Sequence, residues 1–160
     1  MHEDTNFARS AKREYLSFTL GGLEYGLDFG KVQELRVLRS LERFANDGEI
    51  ISGVAVSRGV VMPIVDMRAA FTGRVAVPDP MTDVIILKLS TCVMGMVVDS
   101  VSGVVKLRAD QISPILGADG GKIDYLVGLG VADGRRLILV DIDRLMSIQR
   151  KAPPGSRQVA

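Results

Sequence analysis

Apolar and polar residues alternate in short runs along most of this chain, and glycines separate the runs. The string YLSFTL at 15–20 places two leucines and a phenylalanine on one face of an extended strand, with serine and threonine on the other. Two-residue turn signals follow such runs at Gly21-Gly22 and lie between them at Asp133-Gly134. The pattern predicts an all-β fold with strands over Tyr15–Leu20, Leu23–Asp28, Val54–Ser57, Val60–Val65, Val84–Leu89, Val93–Val98, Val101–Leu107, Leu126–Ala132 and Arg135–Val140.

Helical spacing is confined mainly to the C-terminal part of the chain. Apolar residues recur at intervals of three or four over 142–149, and Asp141 can cap the first turn. A shorter helical turn is predicted over Met67–Phe71, capped by Asp66 and ended by Gly73. The sequence therefore predicts one short C-terminal helix attached to a β-rich fold.

An internal repeat organises the predicted strands. Residues 53–67 (GVAVSRGVVMPIVDM) align without gaps over residues 128–142 (GLGVADGRRLILVDI), and residues 16–32 align over residues 85–101. Each half thus reads as a hairpin, a middle strand, a second hairpin and an aspartate-capped turn. Two similar five-stranded barrels explain this pattern better than open sheets, because closure removes exposed strand edges. The repeat leaves open whether the two barrels exchange strands.

The length of the chain fits one folded domain with a tail at each end. A chain of 160 residues is typical of a single domain, and 47% hydrophobic residues supply an ordinary core. Residues 1–13 and 150–160 contain too few apolar residues to fold, and we expect flexible tails there. The domain is expected over 14–149, with its two halves at about 14–78 and 79–149.

The charge balance and the scarcity of histidine and cysteine exclude several function classes. Twenty basic against nineteen acidic side chains leave a net charge of +1, whereas nucleic-acid-binding modules usually carry a basic field. The single histidine, His2, lies in the predicted tail, and the single cysteine, Cys92, cannot form a multi-cysteine zinc site. No apolar run approaches the roughly 18 residues of a membrane span, and no signal-peptide pattern opens the chain. We therefore expect a cytoplasmic protein that neither binds nucleic acid nor inserts into a membrane.

Two patterns resemble catalytic or metal-binding signatures, and each has a simpler structural interpretation. GLGVAD at 128–133 begins like a dinucleotide-binding loop, but Asp133 replaces the third glycine and the string joins two predicted strands. Four aspartates could form an acid–base pair or a cation site, yet three of them stand where strand ends and turn caps are expected. They are Asp66, Asp99, Asp141 and Asp143. We therefore expect no enzyme activity, no cofactor and no metal ion.

Two segments carry side chains that suit a partner-binding surface. If residues 32–36 are extended, Val32, Glu34 and Arg36 share one face, and a solvent-facing valine between charges is typical of an interface. Arg58 is placed at a predicted hairpin tip, where rigid scaffolds present recognition residues, and arginine is frequent in interface hot spots. From the residues alone, an ordinary solvated surface remains the alternative for both segments.

Four longer strings follow one another in an order that is typical of one protein family. They are YLSFTLGGLEYGLDFGKVQEL (15–35), ISGVAVSRGVVMPIVDMRAAF (51–71), MGMVVDSVSGVVKL (94–107) and LVGLGVADGRRLILVDIDRLM (126–146). Together they extend over nearly all of residues 15–146. The chain resembles the CheW family, the coupling proteins of bacterial chemosensory arrays.

This resemblance implies a fold, a function and a binding site. The fold is a pair of intertwined five-stranded SH3-like β-barrels with a short C-terminal helix. The function is that of a non-catalytic adaptor between the cytoplasmic tip of methyl-accepting receptors and the histidine kinase CheA, whose C-terminal regulatory domain has the same fold. The receptor-facing groove then falls on Val32, Glu34, Gly53, Arg58 and Gly59. Where the family usually has Asn-Leu before Arg-Gly, this chain has Val56-Ser57, a departure that bears on receptor preference.

Three functional alternatives follow from these observations. The first is an adaptor of a chemosensory array, recruited from the cytoplasm to membrane-associated receptors. The second is the same domain acting as the scaffold of a non-flagellar pathway that controls pili, biofilm or a second messenger. The third, an enzyme or nucleic-acid binder built on small barrels, is disfavoured by the neutral charge and by the lack of a histidine in the predicted folded region.

Overall fold

Strands account for most of the chain that the computed structural model describes, namely residues 11–44, 51–68, 81–117 and 123–151. The strands are β1 (Lys12–Leu20), β2 (Leu23–Asp28), β3 (Val32–Val37), β4 (Glu42–Phe44), β5 (Ile51–Ser57), β6 (Val60–Asp66), β7 (Asp83–Lys88), β8 (Val93–Val97), β9 (Ser100–Arg108), β10 (Ile112–Ser113), β11 (Leu126–Ala132) and β12 (Arg135–Val140). One α-helix, α1 (Ile142–Lys151), follows them in the described residues. The predicted all-β fold with a short C-terminal helix is thus confirmed.

Two six-stranded sheets form the fold, and each takes strands from both halves of the chain. One sheet, barrel A, has the order β10-β11-β12-β2-β1-β9, and the other, barrel B, has the order β3-β7-β8-β6-β5-β4. The first hairpin of each half therefore belongs to the sheet formed by the rest of the other half. The two barrels exchange strands, as the family resemblance implied and as the repeat had left open.

The two parallel strand crossings show how closely the halves correspond. β12 pairs in parallel with β2 through Leu139 and Gly26, and β6 pairs in parallel with β8 through Ile64 and Gly95. The sequence repeat aligns Gly26 with Gly95 and Ile64 with Leu139, so the two crossings use equivalent residues. A Cβ atom on Gly26 would lie 2.8 Å from Leu139 Cδ2, and one on Gly95 would lie 3.3 Å from Ile64 Cγ1. Glycine therefore permits the close approach of the exchanged hairpin in both barrels.

Among the described residues, three hydrophobic clusters form the core, and one of them joins the two barrels. The largest lies between the barrels, receives side chains from both sheets and from α1, and contains Leu16, Phe18, Leu20, Tyr25, Leu27, Val65, Met67, Ile85, Leu87, Leu89, Met94, Met96, Val98, Val140, Ile142, Leu145 and Met146. A second cluster fills barrel B with Leu38, Leu41, Ala55, Met62, Ile64, Val84, Ile86 and Val97. A third fills barrel A with Tyr15, Leu107, Leu137 and Leu139. Because burying one such side chain contributes roughly 1.5–3 kcal/mol, the inter-barrel cluster is the main source of stability.

An ion-pair network fixes α1 against both barrels. The carboxylate of Asp143 accepts hydrogen bonds from the Ser90 backbone N–H (2.8 Å) and hydroxyl (3.0 Å), and Lys31 Nζ lies 2.9 Å from its Oδ2. Burial acts to raise the pKa of Asp143, but the Ser90 N–H and the Lys31 ammonium outweigh it and lower that pKa. Asp141 caps the helix as predicted, because its Oδ1 accepts from the Arg144 N–H at 3.2 Å.

Several element boundaries differ from the sequence prediction. β1 begins at Lys12, inside the segment expected to be a tail, and α1 continues to Lys151, two residues into the expected C-terminal tail. The short strands β4 and β10 were not predicted. Met67 and Arg68 are helical as expected, with Asp66 Oδ1 accepting from the Arg68 N–H, and the rest of that predicted turn lies outside the described residues.

Candidate partner-binding site

The tip of the β5–β6 hairpin presents Arg58 to solvent. Arg58 and Gly59 both have positive φ, at 52° and 77°, as the two central residues of a type I′ turn require. The Arg58 side chain is 79% exposed, and no atom would lie within 4 Å of a Cβ on Gly59. Glycine at 59 is therefore needed for its backbone conformation, and the turn places the exposed Arg58 side chain at the tip of the hairpin.

A bulge in β3 separates two residues that the sequence placed on one exposed face. Val32 pairs with Leu87 and Glu34 pairs with Ile86, so the register shifts by one residue between them. Val32 is half-buried against the inter-barrel cluster, whereas Glu34 lies on the barrel B side and its side chain is only 17% exposed. The expectation that Val32 and Glu34 share one solvent face is wrong, because strict alternation fails at a bulge.

Two arginines hold the carboxylate of Glu34. Arg36 Nη1 lies 3.0 Å from Glu34 Oε1, and Arg58 Nη2 lies 3.5 Å from the same oxygen. Arg36 is fixed in turn by Ser40, whose hydroxyl accepts from Arg36 Nε at 3.0 Å and whose carbonyl accepts from Nη2 at 2.9 Å. Charged groups on the inward face of an edge strand also oppose edge-to-edge association.

The structure brings two of the five predicted site residues into one groove. This groove, which we call the β3–β6 groove, has a volume of about 90 Å³ and is lined by Gln33, Glu34, Arg58, Val60, Met62, Ile86 and Val93. Gly59 adjoins it through the hairpin turn, whereas Val32 faces the inter-barrel cluster. Gly53 lies in β5 where its pairing with β6 shifts register between Ile51 and Val54. The groove thus combines an apolar floor with a charged rim.

Sequence reasoning missed the apolar part of the groove. Val60 is 51% exposed, while Met62 and Ile86 are almost fully buried beneath it. The repeat contained a signal for two residues of the groove, because Val60 aligns with Arg135 and Val93 aligns with Glu24. Apolar residues in one half at positions that are charged in the other half indicate that the two barrels differ at this surface. A half-exposed valine in a short strand carries no such signal by itself.

In barrel A the corresponding surface is filled by an ion pair. Arg135 Nη2 pairs with Glu24 Oε1 and lies 3.1 Å from Ser17 Oγ, and the Ser17 hydroxyl also donates to Glu24 Oε1. The hydrogen bonds from Arg135 and Ser17 lower the pKa of Glu24, and Glu24 raises the pKa of Arg135. The position that corresponds to Glu34 is Gly103, with φ 140°. Among the described residues, the corresponding positions of barrel A therefore do not repeat the chemistry of the β3–β6 groove.

The Glu24–Arg135 pair predicts a small pH dependence of stability. Because the pKa of Glu24 is lower in the folded protein, the pair stabilises the fold above the unfolded pKa of about 4.3, and this contribution disappears as pH falls through the folded pKa. For a partly exposed pair we expect roughly 0.5 kcal/mol. Urea unfolding from pH 7 to pH 3 should show a smaller acid-induced loss for Glu24→Gln than for the wild type. Glu14→Gln, at an exposed position on β1, is the control, and parallel curves for the wild type and Glu24→Gln would contradict the prediction.

Comparisons with known proteins agree on one family. A model of the CheW-like domain matches residues 14–150. Chemotaxis protein CheW of Klebsiella aerogenes is 45% identical over 141 residues, which cover 88% of this chain and 85% of the relative. Chemotaxis protein CheW of Rhizobium meliloti is 26% identical over 141 residues, which cover 87% of this chain and 90% of that relative.

A solved structure shares the fold. The crystal structure of the scaffolding protein TtCheW from Thermoanaerobacter tengcongensis matches with a TM-score of 0.70 and 21% identity, over 82% of this chain and 90% of that chain. This similarity concerns the fold alone. The match of residues 14–150 and the 45% identity with a relative over most of both chains establish the family. This chain belongs to the CheW family of chemotaxis coupling proteins.

Proposed function

We propose that this chain is a non-catalytic adaptor that couples chemoreceptors to the histidine kinase CheA and transmits receptor state to kinase activity. Membership of the CheW family supports this function. The observation that carries the proposal is the β3–β6 groove of barrel B, which has an apolar floor and a charged rim. In the other barrel an ion pair fills the corresponding surface. This difference between the two corresponding surfaces suits one receptor contact per adaptor.

The receptor side of the proposal rests on the chemistry of the groove. The cytoplasmic tip of a chemoreceptor is a helical hairpin, and a helix docks by placing apolar side chains in a groove with polar contacts around it. Val60 offers exposed apolar surface, and Arg58 offers donors on a side chain that is 79% exposed. Glu34, Arg58 and Gly59 therefore belong to the proposed receptor site. Gly53 and Val32 act on it from the neighbouring strands, by shaping β5 and by anchoring β3.

The kinase side of the proposal uses a different face of the barrels. We infer that the partner is the regulatory domain of CheA, which has the same fold in this family, and that the two proteins pack barrel to barrel. The adaptor then works in the cytoplasm at membrane-associated receptor arrays. Among the described residues, no helix has both the length and the apolar character needed to cross a bilayer.

A test of the coupling function is simultaneous binding of both partners. We expect the purified chain to bind a receptor-tip fragment and the CheA regulatory domain together, because the groove lies on one face of one barrel. In membranes that contain receptors, adding the chain should change the rate of CheA autophosphorylation. Titration calorimetry and a radiolabelled phosphorylation assay measure the two effects.

Two results would contradict the proposal. One is competition between the two fragments for the chain, because an adaptor must hold both partners at once. The other is nucleotide hydrolysis by the chain alone that a point substitution in it abolishes, because the proposed function is binding without catalysis.

A further inference from the structure

Arg36 is the most tightly held charged side chain next to the proposed receptor groove. Its guanidinium donates to Ser40 Oγ (3.0 Å), to the Ser40 carbonyl (2.9 Å) and to Glu34 Oε1 (3.0 Å). The Ser40 hydroxyl is itself fixed, because it donates to the Val37 carbonyl at 2.6 Å. The Arg36 side chain is 23% exposed, so the turn after β3 holds most of it away from solvent.

Arg58 is the looser of the two cations that pair with Glu34. Its Nη2 lies 3.5 Å from Glu34 Oε1, well beyond the 2.7–2.9 Å of a strong charge-assisted hydrogen bond. The Arg58 side chain is 79% exposed, and it starts from a hairpin tip that can present it outward. A fixed cation and a movable cation therefore share one carboxylate oxygen.

We infer that Arg36 is a positioning residue that frees Arg58 to bind a carboxylate of the receptor helix. When Arg58 turns from Glu34 to the incoming helix, Arg36 still neutralises Glu34, so no carboxylate is left without a cation. Without Arg36, Arg58 would be the one cation that still pairs with Glu34 among the described residues, and the Glu34 side chain is only 17% exposed. Binding would then have to break that pair, which is costly for a partly buried charge. This inference rests on the proposed receptor site.

The first test replaces Arg36 with residues of similar length. Arg36→Met should weaken binding of a receptor-tip fragment roughly 5-fold, a typical coupling between neighbouring charges. Arg36→Lys keeps one positive charge near Glu34 and should restore most of the affinity. Affinity for the CheA regulatory domain should be unchanged in both variants, because they leave the rest of the barrel surface as it is. Thermal unfolding checks that each variant is folded.

A double-mutant cycle separates positioning from a structural role. In a Glu34→Gln background Arg36 no longer neutralises a charge at position 34, so adding Arg36→Met should change the receptor affinity little. If Arg36 acted only by holding the turn through Ser40, it would lower the affinity equally in both backgrounds. Should Arg36→Met fail to fold, Ser40→Ala loosens the guanidinium without removing its charge, and it should weaken receptor binding only when Glu34 is present.

The outcomes distinguish this inference from the proposed function. If Arg58→Glu leaves receptor binding unchanged, the proposed receptor site is wrong. If Arg58→Glu weakens binding but Arg36→Met binds like the wild type, Arg36 has no positioning role and the receptor site stands. Equal losses with and without Glu34 would also overturn the inference about Arg36.

Discussion

Arg58→Glu is expected to weaken binding of the receptor tip by roughly 1–3 kcal/mol, the usual size of an interface hot-spot effect. The substitution removes exposed donors from the groove rim and places a second carboxylate near Glu34. The variant should still fold, because substitutions of exposed side chains usually change stability by about 0.5 kcal/mol or less. Titration of a receptor-tip fragment and thermal unfolding measure the two quantities.

The repeat supplies a matched control for this substitution. Asp133 occupies the corresponding hairpin tip of barrel A with the same φ of 52°, and Gly134 follows it at 78°. Asp133→Lys also reverses a charge at such a tip, but it lies beside the Arg135 ion pair instead of the β3–β6 groove. We expect receptor binding to be unchanged in this variant. If Arg58→Glu binds the receptor tip like the wild type, or if both variants weaken binding equally, the site is not the β3–β6 groove.

Arg58 tests the receptor site better than Val32 does. A double variant, Val32→Asp with Glu34→Lys, would follow from the expectation that both side chains are exposed. Val32 instead packs against the inter-barrel cluster, so an aspartate there would place a charge against apolar side chains and destabilise the fold. A loss of binding in that variant would not distinguish a damaged groove from a damaged core.

Local pattern was sufficient to predict the hairpins of this fold. β2, β11 and β12 have the predicted bounds, because alternating residues between glycine turns specify both a strand and its ends. The aligned halves place equivalent residues at the two parallel crossings, although the alignment did not predict which strands pair there. The short strands β4 and β10, of three and two residues, carry no period that a pattern could reveal. They form because barrel B and barrel A offer an edge to pair with.

Strand exchange could not be predicted from the repeat. The β1–β2 hairpin would bury the same apolar face whether it joined its own half or the other half. Whether the hairpin joins its own half or the other half depends on which strand it pairs with in parallel. Both halves have glycine at the crossing, Gly26 and Gly95, so the sequence does not distinguish the two pairings. The family resemblance implied intertwined barrels, and the local pattern did not contain that information.

The binding groove was predicted only in part, for a related reason. The sequence predicts a hairpin tip at Arg58 and Gly59, and the family resemblance identifies Glu34 as a residue of the site. The bulge between Val32 and Glu34 is a property of pairing with β7, and it reverses the face that simple alternation gives. The apolar floor, with Met62 beneath it, comes from strands that are distant in the chain. A groove that is lined by strands from both halves of the chain is therefore difficult to predict from local sequence.

Strand exchange makes a second strong prediction, which concerns Phe18 in the inter-barrel cluster. Phe18 is 1% exposed, and its ring stacks on Tyr25 with 5.8 Å between ring centres. Phe18→Ala should lower the free energy of unfolding by about 3–5 kcal/mol, as for other buried phenylalanines. In a protein of this size each kcal/mol lowers the melting temperature by roughly 2–4 °C.

The shape of the unfolding transition tests the exchange itself. β1 and β2 belong to barrel A, whereas the other strands of the same half belong to barrel B. Each barrel therefore contains strands from both halves of the chain, and we expect the two barrels to unfold together. Phe18→Ala should therefore still unfold in one transition, measured by calorimetry and by far-UV circular dichroism in urea. Leu23→Ala on the same hairpin is the control, since Leu23 is 54% exposed and the variant should stay within about 0.5 kcal/mol of the wild type. Two separate transitions in Phe18→Ala, with one barrel melting before the other, would contradict this prediction. They would mean that the barrels unfold independently and that the inter-barrel cluster does not join them into one cooperative fold.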